Sequence, residues 1–171
     1  ITLLEKAYMK LNGGYDFPGS NSGIDLQALT GWVPEQIFFD DSNTSSAQGH
    51  TQTSSRAWDR MVSAHRSVDC LTTISTGTLT LSEEDSLGLV GGHAYAVMNI
   101  VETNGLKILQ VKNPWATKTW QGRFSSLDRS SWSRSTMDSL CVTEDDLNNM
   151  VSRGIFWILY EDVRKYFNFV S

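Results

Sequence analysis

A chain of 171 residues with 40% apolar residues is long enough to bury one globular core, and no shift in composition marks a second domain. Its 14 Lys and Arg against 19 Asp and Glu give a net charge of −5 without a basic cluster, which excludes a nucleic-acid surface built on phosphate contacts. No apolar run reaches the roughly 20 residues of a membrane span and no signal-peptide layout opens the chain, so a soluble protein without a membrane span is expected.

Residues 1 to 12 predict a helix with Leu3, Leu4, Ala7 and Leu11 on one stripe, stopped by Gly13-Gly14. The chain opens almost at that helix, so a preceding segment is expected. The Gly-, Ser- and Asn-rich residues 12 to 31 read as an ordered loop with a short helix around Ile24 to Leu29, and Trp32 to Phe39 as a strand. Asp40 to Ser55 is almost free of apolar residues and reads as a surface loop, His50 included. Thr53 or Ser54 would cap a helix to about Ser67, with Ala57, Trp58, Met61, Val62 and His65 near one face. His65 falls near its C-terminus, where a cation is modestly favoured, and is assigned no chemistry.

Cys70 to Ser75 reads as a strand and Thr76 to Ser86 as a polar, acidic turn region. The run Gly88 to Ile100 predicts a strand with a buried face, and Ile108 to Val111 a second strand ending at Asn113. Asn104-Gly105 between them is a strong two-residue hairpin signal. Pairing across that turn would bring Asn113 back beside His93, with Trp115 apolar enough to cover their hydrogen bond. Gly91 and Gly92 would leave room for a substrate backbone.

That arrangement meets a chemical need. Hydrolysis by cysteine requires a thiolate, a histidine that stabilises it and protonates the leaving group, and a polar group that orients the imidazole. On residues alone, His93 reads more readily as a hydrogen-bonded structural histidine at a strand end than as a catalyst, and Pro114-Trp115 could simply end an edge strand. Cys70, His93 and Asn113 also spell Cys, His, Asn in the chain order of papain-like enzymes. Against a nucleophilic Cys70 stands its strand-prone context, Leu-Thr-Thr-Ile-Ser-Thr, which favours a buried thiol. Cys141, after a Ser-rich loop, reads as structural or exposed. Two cysteines without metal or disulfide spacing point to a reducing, cytoplasmic setting.

Residues 116 to 150 read as long ordered loops pinned by Trp120, Phe124, Leu127, Trp132 and Leu140, with a short helix over Glu144 to Met150 capped by Thr143. Gly154 to Tyr160 reads as the last strand, followed by a helical or turning segment over Glu161 to Tyr166 and then Phe167 to Val170. The fold class is α+β: an antiparallel sheet or open barrel with peripheral helices.

Gly91-Gly92-His93-Ala94-Tyr95-Ala96-Val97, Lys112-Asn113-Pro114-Trp115 and Gly154-Ile155-Phe156-Trp157 resemble, in the right order, three signatures of the second lobe of the calpain cysteine-protease core. The opening Leu4 to Tyr15 is similar to the segment entering that lobe, and Leu29-Thr30-Gly31-Trp32 resembles its next landmark. Gly14 to Ser22 and Leu29 to Glu35 look closer to the atypical, PalB-like branch. The resemblance covers nearly the whole chain. It implies a papain-like lobe of an intracellular endopeptidase acting on protein or peptide substrates. His93 would be the general acid/base, Asn113 its orienting partner, Trp115 a shield, and the backbone of Gly92 a substrate contact. Residues 1–171 would be the second, His- and Asn-bearing subdomain. The nucleophilic cysteine belongs to the first subdomain of such a protein, so this chain by itself is expected not to cleave peptides.

In conventional calpains this lobe holds calcium on acidic side chains, and the matching places here carry Thr119, Ser126, Arg153 and Ile155. Calcium needs several oxygen ligands with carboxylate charge. No tight calcium site or other metal or cofactor is therefore expected in this lobe, calcium remaining open for the parent protein; Asp128, Asp145 and Asp146 could only build a different site. Two rivals stay open: a protease-like interaction module whose parent lacks the cysteine, and a self-contained hydrolase using Cys70.

Overall fold

The computed structural model describes residues 2–17, 19–39, 50–51, 54–67 and 69–171. Its helices are α1 (Thr2–Leu11), α2 (Ser22–Thr30), α3 (Ser54–Arg66), α4 (Leu81–Leu87), α5 (Arg134–Leu140), α6 (Glu144–Arg153) and α7 (Tyr160–Tyr166). Its strands are β1 (Ile37–Phe38), β2 (His50–Thr51), β3 (Thr73–Thr76), β4 (Ala94–Thr103), β5 (Leu106–Lys112), β6 (Ile155–Leu159) and β7 (Phe167–Val170). The strands lie in the order β2-β1-β7-β3-β4-β5-β6. Every ladder is antiparallel except the short β1–β2 pair. The fold is α+β, with helices around an antiparallel sheet.

The β4–β5 hairpin is the spine. Asn104 and Gly105 take φ values of 49° and 75°, the double left-handed turn whose twist matches a two-residue hairpin, and Thr103 pairs with Leu106. The register shifts between Val97 and Asn99, so Tyr95 faces the core from an odd position and Ile100 from an even one. That bulge explains why the apolar alternation of this strand is imperfect.

Period-two alternation along β5 and β6 divides the interior in two. Leu109, Val111, Phe156 and Ile158 pack with Trp58 and Met61 of α3 and with Val163, Phe167 and Val170. Ile108, Trp157 and Leu159 face the other side, against Phe124, Trp132, Met137, Leu140, Leu147 and Met150. A strand buried on both faces must be apolar throughout, which is why Ile155 to Leu159 contains no polar residue.

Several expectations from the sequence change. The strand over Trp32 to Phe39 shrinks to Ile37–Phe38, because Pro34 offers no N–H and Val33 is 89% exposed. The strand begins at Thr73, and Cys70 lies outside it with an exposed thiol instead of in the core. The region read as a turn over Thr76 to Ser86 contains α4, whose capping box joins Thr80 and Glu83. The loop region holds α5, started by Ser133; of its expected pins Phe124, Trp132 and Leu140 join the second core, Trp120 packs in the first, and Leu127 is exposed. Phe167–Val170 is a further strand, inserted between β1 and β3. The apolar stripe of α1 exists, yet Leu3, Leu4 and Leu11 are exposed.

Candidate active site

His93 is the last residue before β4, and its backbone is fastened before its ring is considered. The Thr76 hydroxyl donates to the Val90 carbonyl at 2.6 Å and accepts from the His93 N–H at 3.0 Å, while the Thr76 N–H donates to the His93 carbonyl at 3.0 Å. The Gly92 N–H donates to the Gly77 carbonyl. The Tyr95 hydroxyl, fully buried, accepts from the Val90 N–H at 2.8 Å, and burial pushes its pKa up to about 12.

Asn113 follows β5 and is fully buried. Its N–H donates to the Gly154 carbonyl, and Gly154 sits at φ 65° where a Cβ would come within 2.6 Å of the Asn113 carbonyl oxygen. Only glycine lets the end of α6 approach this backbone so closely. The Asn113 carboxamide has one orientation: Oδ1 accepts from the Trp115 N–H at 3.0 Å, and Nδ2 donates to the Lys118 carbonyl at 3.1 Å. His93 Nε2 lies 2.9 Å from that Oδ1. An oxygen fixed as acceptor by a backbone donor can only receive a proton from Nε2, so the neutral ring carries its hydrogen there. Nδ1 is then left as the basic nitrogen, with no hydrogen-bond partner among the described residues.

Two rings frame the imidazole. Trp115 lies with its centroid 4.2 Å from that of His93, and Tyr95 stands edge-on at 4.9 Å. His93 is only 9% exposed, whereas Trp115 is 62% exposed, an uncovered aromatic surface over the histidine. The two glycines before His93 differ in use. A Cβ on Gly92 would meet nothing within 4 Å, while on Gly91 it would sit 2.9 Å from the Leu79 nitrogen. The opening expected beside both therefore exists at Gly92 alone, and the bareness of Gly91 serves internal packing.

Both cysteines lie toward the other end of β4. Thr72 accepts from the Val97 N–H, four residues along the strand from His93, and Cys70 lies two residues before Thr72, outside β3 and away from the His93 end. Cys141 ends α5, two residues after Ser139, which hydrogen-bonds Asn104 at the hairpin tip. His65 on α3 is 3.2 Å from Asn99 Oδ1, away from His93, and the His50 side chain lies outside the described residues.

Sequence reasoning missed Thr76, Tyr95, Glu84 and Lys118. Glu84 Oε1 accepts from the Gly91 N–H at 2.7 Å, and Lys118 Nζ donates to Glu84 Oε2 at 3.0 Å and to Asp85 Oδ1 at 2.9 Å. The Gly91 N–H and then Lys118 lower the Glu84 pKa, and Asp85 followed by Glu84 raises that of Lys118. The capping signature at Thr80 and Glu83 could have revealed α4, but nothing in the sequence joins it to residue 118.

At the four positions compared with calcium ligands, the Thr119 and Ser126 hydroxyls are buried with no hydrogen-bond partner among the described residues, Arg153 is exposed and Ile155 half-buried. Asp128 is occupied by Ser130 and the Phe124 N–H, and Asp146 caps α6. Among the described residues no helix is long and apolar enough to cross a membrane.

The sequence family described as calpain family cysteine protease matches residues 1–171. The chain belongs to the calpain family. It is 42% identical over 171 residues to calpain-7 of Mus musculus, covering 99% of this chain and 20% of that protein. It is 38% identical over 167 residues to the calpain-like protease palB/cpr-8 of Neurospora crassa, covering 97% and 16% respectively. The calpain-type cysteine protease DEK1 of Zea mays is 30% identical over 171 residues, covering 98% of this chain and 7% of DEK1. The chain thus spans a fifth or less of these calpain relatives, and its likeness to calpain-7 and palB exceeds that to DEK1.

Proposed function

We propose that residues 1–171 form the second subdomain of a calpain-type protease core, which supplies a histidine and an asparagine to a cysteine carried by a first subdomain of the same protein. The observation that supports this best is the fixed polarity of the Asn113 carboxamide, which leaves His93 Nδ1 free to take a thiol proton. In this reading Nδ1 accepts the proton as the thiolate forms, and the thiolate attacks the scissile carbonyl of a protein substrate. The imidazolium then returns that proton to the departing amine, with Asn113 Oδ1 holding the ring throughout. Trp115 keeps water from the His93–Asn113 hydrogen bond, and the open backbone at Gly92 lies against the substrate chain. The positions of Cys70 and Cys141 support a sulfur from elsewhere. Thr119, Ser126, Arg153 and Ile155 provide no carboxylate, a donor set that does not fit calcium; any calcium dependence would reside in other parts of the parent protein, whose setting is the cytoplasm.

The test is a peptide-hydrolysis assay on this chain alone and joined to its first subdomain. The isolated chain is expected to give no turnover. In the joined protein His93→Ala should lower kcat/KM by about 10²- to 10⁴-fold. Asn113→Ala should cost roughly 10- to 150-fold, the worth of a hydrogen bond to a charged group. Turnover by the isolated chain, or an indifferent His93→Ala variant, overturns the proposal.

A further inference from the structure

Resting on the reading of His93 and Asn113 as a working pair, we infer that Glu84 and Lys118 are positioning residues for it, a latch between the loop that enters His93 and the loop that leaves Asn113. The two oxygens of the Glu84 carboxylate serve different sides of the site. Oε1 holds the N–H of Gly91, two residues before His93, and Oε2 holds the Lys118 ammonium. The carbonyl of that same Lys118 receives Asn113 Nδ2. The chain Gly91–Glu84–Lys118–Asn113–His93 therefore closes a circuit of hydrogen bonds around the imidazole, in addition to the β4–β5 ladder beneath it.

The latch has a rigid base. α4 is capped by Thr80 and Glu83 at one end and by Gly88 at the other. A Cβ on Gly88 would lie 1.7 Å from the Thr119 carbonyl oxygen, and the Gln121 N–H donates to the Leu87 carbonyl, so the helix end packs directly on the segment that follows Lys118. The Glu84 and Lys118 side chains are 17% and 30% exposed, less screened than an ordinary surface pair. An ion pair serving stability alone would not require its second oxygen to bind a backbone N–H beside the histidine. Residues 113 to 119 lie outside any helix or strand, so no ladder fixes the Lys118 carbonyl, and the hold of Glu84 and Asp85 on the Lys118 side chain adds to the packing at Thr119 in fixing it.

The test is nitrogen-15 NMR of the His93 ring in the whole chain, reading its tautomer and the solvent exchange of the Nε2 proton, with denaturation midpoints as a control. Asn113→Ala should abolish the single Nε2–H form. Glu84→Gln and Lys118→Met should each speed exchange of that proton at least about tenfold, the factor one charge-assisted hydrogen bond is worth. Lys118→Arg should restore most of the original signal. The direction separates positioning from simple charge effects, since removing a negative and a positive charge would change the field at the ring in opposite senses, whereas loosening the ring acts in the same direction in both. If Asn113→Ala changes the signal while Glu84→Gln and Lys118→Met do not, or if those two act in opposite directions, the latch is refuted and the pair stands. If Asn113→Ala changes nothing, the pair fails and the latch with it. Should Glu84→Gln not fold, the Lys118→Met and Lys118→Arg comparison decides.

Discussion

A carboxamide has no charge to offer, so what Asn113 contributes depends on which of its ends faces the imidazole. The Trp115 N–H and the Lys118 carbonyl settle that by occupying opposite ends of the amide, and the imidazole receives the acceptor. Tyr95 works at the same scale. Its hydroxyl is the acceptor for a Val90 N–H in the loop leading to His93, and its ring meets the imidazole edge-on. Tyr95→Phe keeps the ring and strands that N–H in the interior, so we expect a loss of about 1–3 kcal/mol in unfolding free energy, measured by urea titration. A variant as stable as the parent would show that the hydroxyl is dispensable.

At the scale of elements, the site is a seam between two strand ends and the loops that cross them. Thr76 at the end of β3 ties down the residue before β4, and the junction of α6 and β6 holds the residue after β5. Gly154 makes that junction tight, with a left-handed φ of 65° and the Asn113 carbonyl where a side chain would begin. Gly154→Ala is expected to cost at least about 1–2 kcal/mol from backbone strain alone, with more from the collision, and to perturb Asn113 before the second core. Denaturation together with amide shifts of residues 111 to 116 would check this; a local disturbance at Leu147 or Met150 with Asn113 unmoved would contradict it.

At the scale of the whole molecule, acid should weaken the fold. Hydrogen bonds from Ser130 and Ser131, with the Phe124 N–H, lower the Asp128 pKa to about 2, and hydrogen bonds also lower those of Glu83, Glu84 and Asp146. A carboxyl whose folded pKa lies below its unfolded value stabilises the fold above the unfolded pKa and loses that contribution as pH falls through the folded one. For Asp128 the window runs from about pH 4 to about pH 2. Burial raises the Asp162 pKa and acts in the opposite sense, against those four carboxyls among the described residues. Urea midpoints should fall between pH 5 and 2, less steeply in Asp128→Asn than in the parent; equal slopes would remove Asp128 from the account. The local signals of the sequence determined a good deal. The Asn-Gly turn marked the hairpin, the cap at Thr143 marked a helix, and the order of the three motif stretches marked the family. These were legible because each is written in neighbouring residues. Tertiary structure alone decided the rest: β7 entering the middle of the sheet, Phe124 and Trp132 meeting α5 and α6 in a second core, and Cys70 standing exposed beyond the end of its strand. It also joined Glu84 to Lys118 across 34 positions, for a charge meets its partner only where packing brings two distant backbones together.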